Sequence, residues 1–236
     1  MDAEVMTAAG RKCRIFRKQD PAFLLIQPID AREGEETARE ADLIAEMTGR
    51  HFLMAAFETK DWNRDLSPWP APPAFGKEPF GGEAERTLSY VREELLPDLR
   101  SRYGLSETVP AVIGGYSLAG LFALWSVWRC RDFAAAAAAS PSVWFPGWTG
   151  FAEASAPCAR AVYLSLGDRE ERTKNRVMAA VGDCIRRTEK TLRERHGTPC
   201  VLEWNEGNHF REPDRRTARA FARCMDLLAK GEGKNG

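Results

Sequence analysis

Three short segments of the chain carry residues of the types, and in the order, that acyl transfer to a serine requires. The first is GGYSLAG, residues 114–120, which sets Ser117 between two apolar runs. A serine hydroxyl is a weak nucleophile until a neighbouring base takes its proton, and that base needs an acid to orient it. Gly114, Gly115, Ala119 and Gly120 crowd Ser117 with small residues, which implies a backbone that comes close to something there. A buried strand ending in a sharp turn, followed at once by a buried helix, is the setting of a nucleophile elbow. The pattern reads G-Y-S-L-A-G against the usual G-x-S-x-G, with Ala119 in place of the second glycine. At the start of the helix the N–H of Leu118 faces the same point as the hydroxyl and is expected to be one oxyanion donor.

The base is sought among three histidines. His51 precedes Ser117 and begins a strand, on the wrong edge of a sheet. His196 ends a helix in RERHG, where a cation is ordinary helix chemistry. His209, in WNEGNHF, follows the last strand and completes the chain order Ser, acid, His that such sheets use. The acid is expected after the strand AVYLSLG, in GDREERTKN, which offers Asp168, Glu170 and Glu171. Glu170 is preferred for its offset of three from Gly167, then Asp168, then Glu171. A second oxyanion donor is expected from QPID. Pro28 has no N–H, so Ile29 is the choice, with Asp30 behind it.

These residues need a frame that brings them to one edge. Continuous apolar runs read as strands buried on both faces: FLLIQPI (23–29), HFLMAAF (51–57), VPAVIGG (109–115), FAAAAAAS (133–140), AVYLSLG (161–167) and CVLEW (200–204), with CRIFR before them. Helical patterns lie between: 35–49, 83–104 with a kink or stop at Pro97, 118–129 apolar nearly all round, 176–197 and 214–230. The alternation predicts an α/β fold with a mostly parallel sheet, whose ligands bind beyond the carboxyl ends of the strands. One domain over 1–236 is expected, with 1–10 and 230–236 frayed. Two loops are rich in aromatics. Residues 61–82 hold Trp62, Trp69, Phe75 and Phe80, and 140–157 hold Trp144, Phe145 and Trp148. Trp62, Trp69, Tyr116 and Trp144 are the expected substrate contacts. Arg64, Asp65 and Arg211 are weaker candidates for a polar substrate end.

Composition excludes several function classes. Lys plus Arg equals Asp plus Glu, so no net field steers nucleic acid or an anionic membrane. The start MDAEVMTAAGRK has no apolar core of a signal peptide, and no apolar run reaches membrane-span length, so a cytoplasmic protein is expected. The six cysteines are scattered without CxxC spacing, which argues against zinc or a disulfide scaffold and for reduced thiols.

With GGYSLAG, SLGDREE and GNHF in this order, each after a strand, the chain resembles the α/β-hydrolase superfamily, in particular its esterase D and enterochelin-esterase-like branch, over residues 20–228. The resemblance implies a serine esterase acting on a small-molecule ester, with Ser117 as nucleophile, His209 as base, a carboxylate of GDREE as orienter, and neither metal nor cofactor. No glycine-rich oxyanion loop is present, which departs from many relatives. An acyltransferase on the same site and a catalytically silent binding protein are the competing readings. A phosphate loop is disfavoured, because GGYSLAG lacks a lysine and the spacing of GxGxxG.

Overall fold

In the computed structural model, which describes residues 1, 3–74 and 76–232, eight strands form one sheet. They are β1 (Glu4–Ala8), β2 (Arg11–Arg17), β3 (Phe23–Ile29), β4 (Phe52–Glu58), β5 (Ala111–Tyr116), β6 (Ala135–Ala139), β7 (Ala161–Gly167) and β8 (Cys200–Asn205). Their spatial order is β1-β2-β4-β3-β5-β6-β7-β8. The first two strands pair antiparallel, and β2 pairs antiparallel with β4. Every later pairing is parallel. The chain therefore starts at one edge and reverses direction beside β3. It then winds outward to β8, so the ends of β5, β7 and β8 share one edge.

Both faces of the central strands are buried, as their unbroken apolar runs require. The helices α1 (Gly34–Met47) and α9 (Pro213–Glu232) pack on one face, around Phe221, Met225 and Ile44. On the other lie α3 (Ala84–Tyr90), α4 (Leu96–Tyr103), α5 (Leu118–Arg129) and α8 (Val181–Lys190), with α5 buried along almost its whole length and the short α6 (Trp148–Ala154) and α7 (Arg176–Ala179) in the connections before and after β7. Strand β6 is five alanines, all buried. Alanine favours helix in isolation, but a slim strand lets α5 and α9 approach the sheet from both sides, and tertiary packing overrides propensity here.

Several expectations are corrected. Residues 4–8 are not frayed: they pair with β2 from Glu4↔Ile15 to Ala8↔Arg11. At the other end α9 runs through Lys230 to Glu232, and the rest of the expected tail lies outside the described residues, as does Phe75. Pro97 does not stop its helix. The chain stays helical from Ala84 to Tyr103 through a π-helical turn at Val91–Leu95, whose shifted hydrogen bonds accommodate the N–H that Pro97 lacks. The segment 61–82 is not wholly irregular. It contains α2 (Trp62–Leu66) and an antiparallel bridge pairing Pro70–Ala71 with Phe80–Gly81. The six cysteines are all free.

Candidate active site

Ser117 sits where β5 turns into α5, with φ 56° and ψ −118°. A non-glycine residue held at positive φ is strained, and the surroundings show how the strain is maintained. Ser117 N–H donates to Ala139 O at 3.1 Å, and its own carbonyl accepts from Ser142 N–H and Leu121 N–H, both at 3.0 Å. The small neighbours are sterically required. A Cβ on Gly115 would lie 2.6 Å from the Ala119 Cβ, and one on Gly114 would lie 2.5 Å from the Phe221 ring. Ala119 fits because the glycine opposite makes room for its methyl.

From this turn the Ser117 hydroxyl reaches two partners. The Nε2 of His209 is 3.1 Å away and the Ser142 hydroxyl 3.3 Å. On the far side of the imidazole, His209 Nδ1 is 2.7 Å from Glu170 Oε2. A proton on Nδ1 leaves Nε2 free to accept from the serine. Glu170 is buried, and its other oxygen accepts from Gly167 N–H and the Ser140 hydroxyl at 2.7 Å each and from Arg216 Nη1 at 3.0 Å. Burial pushes the Glu170 carboxyl up, but the bonds from His209, Ser140 and Gly167 outweigh it and hold the group below its ordinary range.

The three carboxylates of GDREE part company. Asp168 accepts from Gly207 N–H at 2.8 Å and tethers the β7 and β8 loops together. Glu171 faces solvent and pairs with Arg186 at 3.4 Å. Glu170 alone of the three turns inward to His209. The other histidines are engaged elsewhere: His51 Nδ1 lies 2.6 Å from Gln19 O, and His196 Nε2 lies 2.9 Å from Ala152 O.

The backbone geometry separates the two candidate donors of QPID, Ile29 and Asp30. In a parallel ladder the N–H and C=O of one residue point to the same neighbour. Ile29 O accepts from Thr59 N–H at 2.9 Å, so Ile29 turns its N–H toward β4 and away from Ser117. Asp30 is next and faces the other way, and its N–H donates to Glu33 Oε2 at 2.9 Å. Pro28 and Glu33, which flank it in sequence, line the same cavity as Ser117. Leu118 is the first residue of α5, so its N–H has no acceptor within the helix.

Of the expected substrate contacts, Trp62 and Tyr116 line the Ser117 cavity, and Trp144 lines a second cavity at His209. Trp69 lines neither. Its indole N–H donates to Pro146 O at 2.8 Å and its ring packs on Phe145 and Phe151, so it braces one aromatic loop against the other. Arg64 pairs with Asp65, whose other oxygen accepts from two N–H groups at the start of α2, and Arg211 pairs with Glu206.

Two residues escaped the sequence reading. Arg216, 3% exposed, reaches from α9 to Glu170, to the Tyr116 hydroxyl at 3.1 Å and to Glu206 O at 3.0 Å. Tyr116 in turn donates to His209 O at 2.6 Å, so one guanidinium braces both the acid and the histidine backbone. The signal was an arginine in line with the apolar stripe of α9, four residues before Ala220 and eight before Cys224. Phe210, 85% exposed, stands edge-on to His209.

This strand order, with a strained serine after β5, a carboxylate after β7 and a histidine after β8, defines an α/β-hydrolase fold. The Esterase family model matches residues 35–198, well over half of the chain, and the protein belongs to that family: it is a carboxylic ester hydrolase. Solved structures share the fold at low identity. The siderophore hydrolase EstB from Aspergillus nidulans is 16% identical, with a TM-score of 0.70 over 94% of this chain and 93% of its own. The enterobactin esterase FES from Shigella flexneri is 16% identical, with a TM-score of 0.69 over 96% of this chain and 59% of its own. A ferulic acid esterase is 13% identical, with a TM-score of 0.65 over 96% of this chain and 97% of its own. No curated protein matches the chain in sequence. No helix among the described residues is long and apolar enough to cross a membrane.

Proposed function

We propose that the protein hydrolyses a small-molecule carboxylic ester through an acyl-enzyme on Ser117. The observation that carries this is the unbroken relay from Ser117 Oγ through the His209 imidazole to Glu170, with spacings of 3.1 and 2.7 Å. His209 Nε2 takes the hydroxyl proton as Ser117 Oγ attacks the ester carbonyl. Glu170 holds the ring and its developing charge, and its low titration range keeps it ionised for that role. The oxyanion is received by the N–H groups of Leu118 and Asp30, the latter once the Glu33 carboxylate turns aside. The tetrahedral intermediate collapses, the C–O bond to the alcohol breaks, and His209 returns its proton to the leaving oxygen. Water then attacks the acyl-enzyme, again losing its proton to His209, and the carboxylic acid departs while Ser117 recovers its hydrogen.

Labelling with a fluorophosphonate probe followed by peptide mapping tests this. Label is expected on Ser117 in the wild type. Phenyl ester turnover should fall by at least about a thousandfold in Ser117→Ala and in His209→Ala. An unlabelled Ser117 in a folded protein, or undiminished turnover in Ser117→Ala, would refute the mechanism.

A further inference from the structure

Two cavities meet at the Ser117–His209 pair, and their walls differ in charge. The one at Ser117, of about 300 Å³, is bounded by Glu33, Glu36, Glu40 and Asp214, and no lysine or arginine among the described residues lines it. Arg39, on the same helix as Glu36 and Glu40, is engaged with Asp214 at 3.3 Å. The cavity at His209, of about 270 Å³, is bounded by Trp144, Met178 and Phe210, with Arg169 and Arg172.

An acidic wall by itself is ordinary solvated surface. This one has in addition a buried polar pair that lacks donors. Gln27 and Glu40 are 6% and 4% exposed, and both line the Ser117 cavity. Gln27 Nε2 donates to Glu40 Oε2 at 3.1 Å. Gln27 Oε1 and Glu40 Oε1 are buried with no hydrogen-bond partner. A buried acceptor without a donor is costly, so such a pair signals a group that arrives later. The Thr37 hydroxyl in the same wall does not fill the gap, because it donates to Glu33 O. A proton on Glu40 answers one of these acceptors, and a cation that displaces it must bring its own donors in among the carboxylates of Glu33, Glu36 and Asp214. An ammonium group does so, with three N–H donors, no acceptor and a positive charge. The terminal torsion of a glutamate is soft, so Glu40 can turn Oε1 toward a ligand at little cost. Trp62, in the same wall, is the side-chain type whose face attracts cations most strongly.

The chemistry assigns the two cavities to the two halves of an ester. The leaving alcohol must take a proton from His209, which places it in the His209 cavity. The acyl chain then extends into the cavity that Ser117 lines. We infer that the substrate is an ester whose acyl part carries a protonated amine, received by Glu40 and Gln27 with Glu36 and Asp214 at the rim. This rests on the reading of Ser117 as nucleophile and His209 as proton carrier.

The test compares kcat/KM for three phenyl esters, of ε-aminocaproate, ω-hydroxycaproate and heptanoate, in the wild type, Glu40→Gln and Glu36→Gln. Glu36 is exposed, so its variant keeps the test usable if the buried one misfolds. The aminocaproate ester is expected to exceed both neutral esters by at least about tenfold, the worth of one hydrogen bond to a charged group. That ratio should drop in both variants. Equal rates for the amino and hydroxy esters, or a ratio unmoved in both variants, would overturn the inference. Turnover of the heptanoate ester that depends on Ser117 but shows no preference for the amine sinks this inference alone. If no ester is turned over and Ser117 takes no label, the catalytic reading fails instead. Calorimetry with ε-aminocaproamide against hexanamide then decides the pocket: heat from the cation only supports the site, and heat from neither overturns it.

Discussion

Replacing Glu40 by glutamine should make the protein more stable, by an amount that grows with pH. Burial pushes the Glu40 carboxyl from 4.5 up to about 8, against the one bond from Gln27, and the charges of Glu33 and Asp214 add to the rise. The groups around it are mostly acidic: Glu33 just before its own helix, Glu36 on it, and Asp214 on α9, with the neutral Gln27 on β3. Arg39 is the nearby cation, and it is taken by Asp214. A group whose pKa is higher in the folded chain than in the unfolded one binds more protons when folded, between those two values. Stability therefore falls as the pH rises through that window, and the loss is complete above the folded value. A rise from 4.5 to about 8 sets the ceiling of the loss at about 5 kcal/mol, with about 3 kcal/mol reached by about pH 7. Glutamine has no proton to lose, and its amide can donate to the orphaned Gln27 Oε1. Urea unfolding of both proteins at intervals between about pH 5 and pH 8 measures the difference, with every other titrating group cancelling. The two stability curves should be close at the acid end and diverge steadily toward the alkaline end. Parallel curves would refute the reasoning, since they would show a Glu40 carboxyl that titrates alike in the folded and unfolded chains.

Four further variants have expected outcomes. Arg216→Met removes the buried cation from Glu170 but leaves the Ser140 and Gly167 donors in place, so it should cost about 3 kcal/mol in urea unfolding, the low end for a broken buried pair. Arg216→Met should also lower kcat more than it raises KM, because His209 loses its brace through Tyr116. Gly115→Ala sets a methyl against Ala119 and should cost about 1–3 kcal/mol and most of the activity, whereas Ala119→Gly should keep activity and lose about 1 kcal/mol of helix stability. Glu33→Ala should free the Asp30 N–H and raise kcat/KM on the heptanoate ester about threefold, the low end of one net hydrogen bond; an unchanged or lowered rate would count against Asp30 as an oxyanion donor.

Much of this molecule is written locally in the chain. Seven of the eight strands and the long helices follow from apolar runs and periodicity, because burial on two faces leaves a continuous pattern and burial on one face a periodic one. β1 escaped because Glu4–Ala8 buries only Met6 and Ala8, a signal too thin to separate from a loose terminus. The elbow at Ser117 was legible because a strained turn excludes side chains, and the small residues that result are adjacent in sequence. The histidine was narrowed to His209 by chain order and sheet edge alone.

What the sequence could rank only by offset turns on directions in space. Asp168, Glu170 and Glu171 have similar chemistry, and only the turn after β7 sends one to Gly207, one to His209 and one to solvent. Ile29 and Asp30 differ by one residue, and which of them the sheet takes up depends on which neighbour claims the end of β3. That neighbour is β4, through Thr59. Trp69 and Trp144 look alike in a string of aromatics, but one closes a loop and the other walls a cavity. Gln27 and Glu40 stand thirteen residues apart, on a strand and a helix, and nothing in either segment announces the other. Chemistry confined to one turn of chain is visible in sequence because its constraint acts on neighbours. Chemistry shared across the sheet edge appears only when packing has chosen which side chains meet.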